Sequence, residues 1–101
     1  MKINFLDTKF KVETTREFNK NLKKIFRQGK DLNKLYYVIN RLANGESLEL
    51  IYRNHKLVND KVYKDCYECH INPDWLLIYR YEENKLVLVL VSTGSHSDIF
   101  K

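Results

Sequence analysis

The residues of this chain best suited to proton transfer are its three histidines and an aspartate that follows the second of them. His55, His70 and His96 are far apart in the sequence, whereas Asp74 lies shortly after His70 and directly precedes Trp75. An imidazole titrates near neutral pH, so one ring can accept a proton while another ring donates one. If the fold gathers these side chains, the sequence predicts acid–base chemistry beside an aromatic surface.

Residues 63–91 are predicted to form an antiparallel meander that brings these positions to one edge of a sheet. Three runs rich in apolar, β-branched and aromatic residues are separated by a turn at residues 72–74 and by a second polar turn. Alternate strand ends of a meander lie at the same edge, so we expect His70, Asp74 and His96 to converge there. The predicted strands are residues 63–71, 75–81 and 86–91.

Two amphipathic helices are predicted to precede the meander. Thr14 and Glu17 fit a capping box at the start of the first helix, and Gly29 is placed to end it. The second helix is predicted to begin at Asp31 and to end at Gly45. The predicted apolar stripes are Phe18, Leu22, Ile25 and Phe26 in the first helix and Leu32, Leu35, Tyr36, Ile39 and Leu42 in the second.

These elements together indicate an α+β fold, in which an N-terminal helical hairpin packs on a twisted antiparallel β-sheet. Residues 9–13 alternate in polarity as a short edge strand does, whereas residues 47–61 show no period and are interpreted as a loop that contains His55. Residues 86–91 are apolar on both faces, which is typical of an internal strand that is covered twice. The length of 101 residues predicts a single domain spanning residues 1–101.

Residues 66–70 read Cys-Tyr-Glu-Cys-His and match the C-x-x-C-H pattern of c-type haem attachment. Residues three apart on a strand point to opposite faces, so Cys66 and Cys69 cannot hold one ligand, and we interpret both thiols as buried apolar groups. Zinc binding by the three histidines is an alternative use of those rings and requires all three within about 2.1 Å of one ion. We predict no metal site and no other cofactor.

The composition favours a partner that carries negative charge. The chain has 18 basic and 13 acidic residues and a formal net charge of +5, which suits nucleic acid, an acidic protein or both. An ordinary lysine-rich surface explains the same charge, so composition alone does not separate these alternatives. No apolar run approaches the length of a membrane span, and residues 1–7 lack the features of a signal peptide. We therefore expect a cytoplasmic protein with no membrane partner.

Three segments of the sequence closely resemble the YafQ-type mRNA interferase toxins of the RelE/ParE toxin superfamily. They are His55-Lys56-Leu57, then Y-E-C-H-I-N-P-D-W-L-L-I-Y at residues 67–79, and T-G-S-H-S-D-I-F at residues 93–100. The resemblance implies a RelE-like fold and a toxin of a type II toxin–antitoxin system that acts as a ribosome-dependent endoribonuclease on mRNA. It also implies two partners: the ribosome with its mRNA, and a cognate DinJ/RelB-like antitoxin that forms a hetero-oligomeric complex with the toxin.

The resemblance also assigns catalytic roles in a metal-independent cleavage, in which the ribose 2′-OH attacks the adjacent phosphate. Asp74 or His70 is the expected general base, and His96 is the expected general acid on the leaving 5′ oxygen. His55 is expected to orient or neutralise the phosphate. The expected products are a 2′,3′-cyclic phosphate and a 5′-OH.

Aromatic and basic residues near these positions are expected to bind the RNA. By resemblance, Trp75 and Phe100 position the nucleotide, for which stacking of a base on an aromatic ring is the physical basis. Packing in the core is the alternative for Trp75. Lys56, Lys61 and Lys64 lie close enough in sequence to the site to contact phosphate groups.

Two positions depart from the pattern of the family. Ser92 stands where the family has the arginine of R-x-G-[ST]-H, and Tyr67 stands where it has the arginine of R-E-C-H. Removing a donor that stabilises transition-state charge costs about 10²–10³ in rate, so with Ser92 at this substrate-binding position we expect reduced but not absent cleavage. The alternative is a catalytically inactive RelE/ParE-fold module that acts by binding its antitoxin or another protein target.

Overall fold

The computed structural model of the chain describes residues 7–100, in which a five-stranded sheet carries two helices on one face. Residues 1–6, part of the segment predicted to lack a signal peptide, lie outside the described residues. No helix within the described range is long and apolar enough to cross a membrane. In chain order the elements are β1 (Lys11–Thr14), α1 (Arg16–Arg27), α2 (Leu32–Ala43), a 3₁₀ helix (Leu50–Tyr52), β2 (His55–Lys56), β3 (Tyr67–Asn72), β4 (Trp75–Glu82), a second 3₁₀ helix (Glu83–Lys85), β5 (Val87–Gly94) and α3 (His96–Ile99).

The strand order is β1-β5-β4-β3-β2, so β3, β4 and β5 form the predicted antiparallel meander with β4 at the centre of the sheet. β2 adds to the free side of β3, also antiparallel. β1 is an edge strand, as predicted, but it pairs parallel with β5, so one pair of the sheet departs from the expected antiparallel order. A parallel pair needs a crossover connection, and here α1, α2, β2, β3 and β4 all lie between the two partners in the chain. The α+β architecture is confirmed.

The side chains of β4 alternate between two apolar layers, one on each face of the sheet. The larger, helix-side layer contains Trp75, Leu77 and Tyr79 of β4 with Leu88, Leu90, Phe18, Leu22, Ile25, Leu35, Val38, Ile39 and Leu42. The smaller layer, on the opposite face, contains Leu76 and Ile78 with Cys66, Ile99, Leu57, Tyr63, Val91 and Phe100. The apolar residues of β5 are buried on both faces, which confirms its predicted position inside the sheet.

The first helix begins one residue later than predicted, because Thr15 and not Thr14 is its N-cap. The Thr15 hydroxyl accepts a hydrogen bond from the backbone N–H of Phe18 at 3.0 Å and donates one to the carbonyl oxygen of Val91 at 2.6 Å. Thr14 is instead the last residue of β1 and is exposed. One hydroxyl therefore both caps α1 and joins it to β5 at the point where β1 has ended.

The other helix boundaries agree with the prediction, with one change in the apolar stripe. Asp31 is the N-cap of α2, and its side chain accepts a hydrogen bond from the backbone N–H of Asn33 at 3.0 Å. Gly29 and Gly45 follow the two helices with φ values of +76° and +72°, a conformation that glycine adopts without strain. Phe26 is 57% exposed, so its prediction as part of the buried stripe of α1 was wrong.

The segment predicted to be a loop, residues 47–61, contains a 3₁₀ helix and strand β2. His55 of β2 is paired with Glu68 of β3. The assignment of His55 to a loop was therefore wrong. A strand of two residues is too short for its period to appear in a sequence, and its position is set by pairing with β3.

Thr15→Ala is expected to lower the free energy of unfolding by about 1–2 kcal/mol, because it removes the N-cap of α1 together with a hydrogen bond to β5. The matched Thr14→Ala substitution changes an exposed residue with no capping role and should alter stability by less than about 0.5 kcal/mol. Urea unfolding followed by circular dichroism measures both variants. An equal or greater loss of stability at Thr14 would contradict the assigned cap.

Candidate active site

The end of β3, the start of β4 and the end of β5 lie at the same end of the sheet, as the predicted meander requires. His70 is paired with Leu76, and Leu76 with Gly94, so these residues form one row across the three strands. Neighbouring strands lie about 4.8 Å apart, which places the α-carbons of His70 and Gly94 about 10 Å apart. His96 follows Gly94 closely in sequence, and Asp74 lies in the turn between β3 and β4. The structure therefore brings His70, Asp74 and His96 to the same end of the sheet.

The carboxylate of Glu68 lies between two imidazoles. Its Oε2 atom is 3.1 Å from Nε2 of His55 and 3.8 Å from Nε2 of His70. Glu68 itself is buried, whereas half of the His55 side chain and about a fifth of the His70 side chain are exposed. A single buried carboxylate oxygen thus faces two rings that reach solvent.

Glu68 was not among the predicted site residues, although its position in the sequence carries a detectable signal. Side chains two positions apart on a strand share a face, so Glu68 and His70 were certain to be neighbours once β3 was recognised. The second neighbour, His55, enters from β2, which sequence patterns did not reveal. The contact between these three residues is therefore visible only in the folded chain.

The second ring nitrogen of each of these histidines faces a backbone carbonyl. Nδ1 of His55 is 2.8 Å from the carbonyl oxygen of Arg53, and Nδ1 of His70 is 3.4 Å from that of Pro73. Both ring nitrogens of His55 therefore face oxygen atoms, one of the Glu68 carboxylate and one of a backbone carbonyl. Because half of its side chain is exposed, this imidazole can also contact a phosphate group.

Asp74 is joined to the start of α3 rather than to an imidazole. Its Oδ1 atom accepts a hydrogen bond from the backbone N–H of His96 at 3.4 Å. The Ser95 hydroxyl caps the same short helix by accepting from the backbone N–H of Asp98 at 3.2 Å, and Lys24 of α1 forms an ion pair with Asp98 at 3.2 Å. The hydrogen bonds from Ser95 and Lys24 hold the pKa of the Asp98 carboxyl below its usual value. His96 is thus anchored through its backbone while the residue stays exposed.

The two aromatic residues predicted to bind a nucleotide occupy different environments. Phe100 is half-buried, with its ring centroid 5.7 Å from that of Tyr63 and 5.0 Å from that of His96. Trp75 is only 1% exposed, and its indole Nε1 donates a hydrogen bond to the Thr93 hydroxyl at 3.0 Å. The prediction that Trp75 stacks on a base was therefore wrong. Its ring belongs to the helix-side layer and fixes the start of β4 against β5.

Ser92 is enclosed and bonded to α1 instead of facing solvent. It is 2% exposed, and its hydroxyl donates a hydrogen bond to Oδ1 of Asn21 at 2.9 Å. The same Asn21 oxygen accepts a hydrogen bond from the backbone N–H of Thr93 at 3.1 Å. Asn21 thus makes the hydrogen bond to β5 that a neighbouring strand would make, at a position beyond the end of β1. The structure contradicts a direct contact between the Ser92 hydroxyl and substrate. Asn21 went unnoticed in the sequence because one amide among lysines on a helix gives no signal of such a contact.

The three lysines predicted to contact phosphate are exposed but do not lie at one place. Lys56 is paired with Tyr67, which borders the helix-side layer, so strand alternation directs Lys56 to the face opposite His55. The structure therefore does not bring Lys56 to the histidines. Lys61 and Lys64 lie on the connection between β2 and β3, part of which covers the smaller apolar layer. A contact of these two lysines with RNA stays a prediction.

The two cysteines of the C-x-x-C-H segment face opposite sides of the sheet, as predicted. Cys69 packs in the helix-side layer and Cys66 in the smaller layer, and both are free thiols. Burial raises the pKa of the Cys69 thiol to about 12 and also raises the pKa of Cys66. Across residues 7–100, no group of three or more His, Cys, Asp or Glu side chains is arranged to hold a metal ion. Residues 67–70 of the segment belong to β3, and Cys66 directly precedes this strand.

Comparison with known families gives a match over nearly the whole chain. Residues 10–101 match the family described as a bacterial toxin of type II toxin–antitoxin system, YafQ. The mRNA interferase toxin YafQ of Escherichia coli strain B/BL21-DE3 is 34% identical over 91 residues, which are 88% of this chain and 94% of that protein. The residues matched by the family, 10–101, include both the helical hairpin and the strands that carry His55 and His70.

Solved structures with the same fold extend this similarity to three dimensions. A crystal structure of a metal-bound toxin from Helicobacter pylori has a TM-score of 0.84 at 40% identity and covers 90% of this chain and 99% of that chain. A crystal structure of the E. coli DinJ–YafQ complex has a TM-score of 0.81 at 31% identity and covers 91% of this chain and 99% of that chain. Sequence and fold therefore agree on the same set of relatives.

Both thiols are expected to resist alkylation by iodoacetamide at pH 8 in the folded protein. Burial raises the pKa of Cys69 to about 12, so the reactive thiolate is scarce at that pH. Because the pKa of Cys69 is higher in the folded chain than in the unfolded chain, the protonated thiol adds to the free energy of unfolding. This contribution is present below the ordinary thiol pKa of about 9 and is lost as the pH rises toward 12. Mass spectrometry of samples alkylated with and without urea measures the reactivity. Rapid modification of Cys69 without urea would contradict its burial.

Proposed function

The chain belongs to the YafQ family of bacterial toxins from type II toxin–antitoxin systems, and from this premise we propose that it is an mRNA interferase, an endoribonuclease that cuts mRNA on the ribosome. The observation that most supports this proposal is the convergence of His55 and His70 on Glu68, at the end of the sheet that also carries His96. The net charge of +5 suits an anionic substrate. An enzyme that acts on translated mRNA works in the cytoplasm, which is the location we propose.

In the proposed reaction the ribose 2′-OH attacks the adjacent phosphorus, and the bond from phosphorus to the 5′ oxygen of the next nucleotide breaks. His70 takes the proton of the 2′-OH, and His96 gives a proton to the leaving 5′ oxygen. The products are a 2′,3′-cyclic phosphate and a 5′-OH. Side chains supply both proton transfers, so this reaction is proposed to need no metal ion.

The contacts of Asp74 and Glu68 support His70 as the general base. Asp74 accepts the backbone N–H of His96 and so serves to hold α3 against the β3–β4 turn. Glu68 faces His70 and can stabilise the imidazolium that forms when this ring accepts a proton, as a buried carboxylate does beside a catalytic histidine. His55, held between Glu68 and a backbone carbonyl, is proposed to bind a phosphate oxygen. Glu68 is thus proposed as the positioning residue of the site.

We propose that a cognate antitoxin of the DinJ type keeps the protein inactive in a hetero-oligomeric complex. The crystal structure of the E. coli relative in a DinJ–YafQ complex supports this proposal. The excess of basic over acidic residues is also suited to an acidic partner segment. The antitoxin and the RNA would then compete for a cationic surface.

A catalytically inactive binding module is the second candidate, and Ser92 is the observation that favours it. The residue supplies no charge at the position where the family has arginine, and its hydroxyl is already bonded to Asn21. Ser92 is paired with Ile78, which is itself paired with Glu68, so a long cation at residue 92 would lie on the same face as the site. We therefore propose that cleavage is attenuated rather than absent.

His96→Ala is expected to reduce cleavage of mRNA on translating ribosomes by about 10²–10⁴-fold, because it removes the proposed general acid. The residue is exposed, so the thermal stability of the variant should match that of the wild type. Ser97→Ala, an exposed neighbour in α3, is the matched control and should cleave normally. Equal cleavage by wild type and His96→Ala would favour the binding module.

Ser92→Arg is expected to raise the rate of mRNA cleavage by up to about 10²–10³-fold, because it adds a cation near the scissile phosphate. Ser92→Ala is the control: it loses the bond to Asn21 but gains no charge, so its rate should not rise. Primer extension on ribosome-bound mRNA measures the rate, and circular dichroism checks that each variant is folded. A folded Ser92→Arg variant with the wild-type rate would count against attenuation by serine.

A further inference from the structure

A groove lies beside the histidines, between the start of α2, the 3₁₀ helix Leu50–Tyr52 and the β3–β4 turn. Its volume is about 670 Å³, within the range of sites that bind small organic molecules. Apart from His70, no residue of this lining was predicted to have a functional role. The residues that matter for its chemistry are Lys34, Tyr37, Tyr52, Arg53, His70 and Asn72.

Two tyrosines give the groove an aromatic wall. Tyr37 is 44% exposed, and its ring centroid is 6.3 Å from that of Tyr52, with an angle of 32° between the ring planes. The Tyr37 hydroxyl donates a hydrogen bond to Oε2 of Glu49 at 2.9 Å, and the guanidinium of Arg41 lies 5.9 Å from the ring. These contacts fix the orientation of the ring. An exposed aromatic face in a fixed orientation is suited to stack on a base.

The groove also carries two cations and an amide. Nζ of Lys34 is 3.4 Å from Oδ1 of Asn72, which holds the ammonium beside the β3–β4 turn. Arg53 is exposed and adopts a left-handed backbone (φ +47°), with its carbonyl directed at His55. Asp31, an acidic residue of the lining, is already occupied as the N-cap of α2. Lys34 and Arg53 outnumber this one carboxylate among the Lys, Arg, Asp and Glu residues of the lining, so their formal charge sums to +1, which favours contact with a phosphate.

The groove is continuous with the candidate active site because His70 belongs to both. A nucleotide whose 2′-OH reaches His70 can extend its base into this groove, because His70 is part of the lining. Trp75 cannot receive that base because its ring is enclosed in the core, and the ring of Phe100 packs next to His96 and Tyr63. Tyr37 is an exposed aromatic residue that lines the groove together with His70.

We propose that this groove binds the mRNA nucleotide on the 5′ side of the scissile phosphate, with its base stacked on Tyr37 and its 5′-phosphate near Lys34 and Arg53. This inference rests on the proposed function and adds a substrate subsite to it. Stacking on a tyrosine ring accepts all four bases, so the groove sets the affinity and register of the mRNA and not its sequence preference.

The kinetic test compares three variants in cleavage of mRNA on translating ribosomes. Tyr37→Ala is expected to raise KM about tenfold or more while kcat stays within about twofold of the wild type, because the base loses its stacking surface. Tyr37→Phe keeps the ring and should behave as the wild type does. Phe26→Ala removes an exposed aromatic residue of α1 outside the groove and is the matched control. An unchanged KM in Tyr37→Ala would overturn the subsite. Weaker binding of the antitoxin by Tyr37→Ala, together with normal cleavage of mRNA, would also overturn it.

A second measurement does not depend on cleavage. A ribosome-bound mRNA with one 4-thio-2′-deoxyuridine, placed in turn at each position of the A-site codon, cannot be cut at that nucleotide but can be cross-linked to the protein by light. Mass spectrometry is expected to find cross-links to the peptides of Tyr37 and Tyr52, and their loss in Tyr37→Ala. Cross-links confined to other peptides, or none, would overturn the subsite. If these cross-links form but natural mRNA is not cut, the proposed function fails and the subsite stands.

Discussion

A single oxygen atom of Glu68 faces two imidazoles, and the geometry of the candidate site depends on this shared contact. Glu68 is buried, and a carboxylate removed from water needs polar partners, which here are the rings of His55 at 3.1 Å and His70 at 3.8 Å. Because the two rings belong to different strands, their contact exists only when β2 is paired with β3. The short strand β2 therefore positions His55, although it contributes little to the sheet.

The two faces of the sheet carry different sets of residues, the larger apolar layer on one face and the proposed site on the other. On the helix-side face, Trp75 packs against the hairpin and bonds to Thr93, so the ends of β4 and β5 stay in register. On the opposite face, Glu68 and the histidines lie at the border of a smaller apolar layer. Asn21 completes the arrangement by bonding to β5 beyond the end of β1, where the strand would otherwise have a bare edge. The proposed groove lies beside His70, between the β3–β4 turn and α2.

Sequence patterns predicted those parts of this arrangement whose physics is local. The hairpin turn, the end of α1, both ends of α2 and the convergence of alternate strand ends were predicted by general rules, and the structure agrees with them. Thr14 was preferred to Thr15 as the helix cap because the two residues are identical neighbours, and only contact with β5 distinguishes them. A tryptophan at the start of a strand, such as Trp75, can be buried in the core or exposed at the end of the sheet. Only the three-dimensional packing decides which. Glu68 was missed because its partner His55 comes from a strand too short to show a period.

The role of Glu68 is tested most directly by the kcat of mRNA cleavage by Glu68→Gln, with Glu82→Gln as the control and with KM and thermal stability measured in parallel. Glutamine keeps the shape of glutamate but lacks its charge, so we expect a kcat about 10- to 100-fold lower with a folded protein and a nearly unchanged KM. Glu82 forms a half-exposed ion pair with Arg80 away from the histidines, and its substitution should leave kcat unchanged. A wild-type kcat in Glu68→Gln would contradict the claim that this carboxylate organises the site.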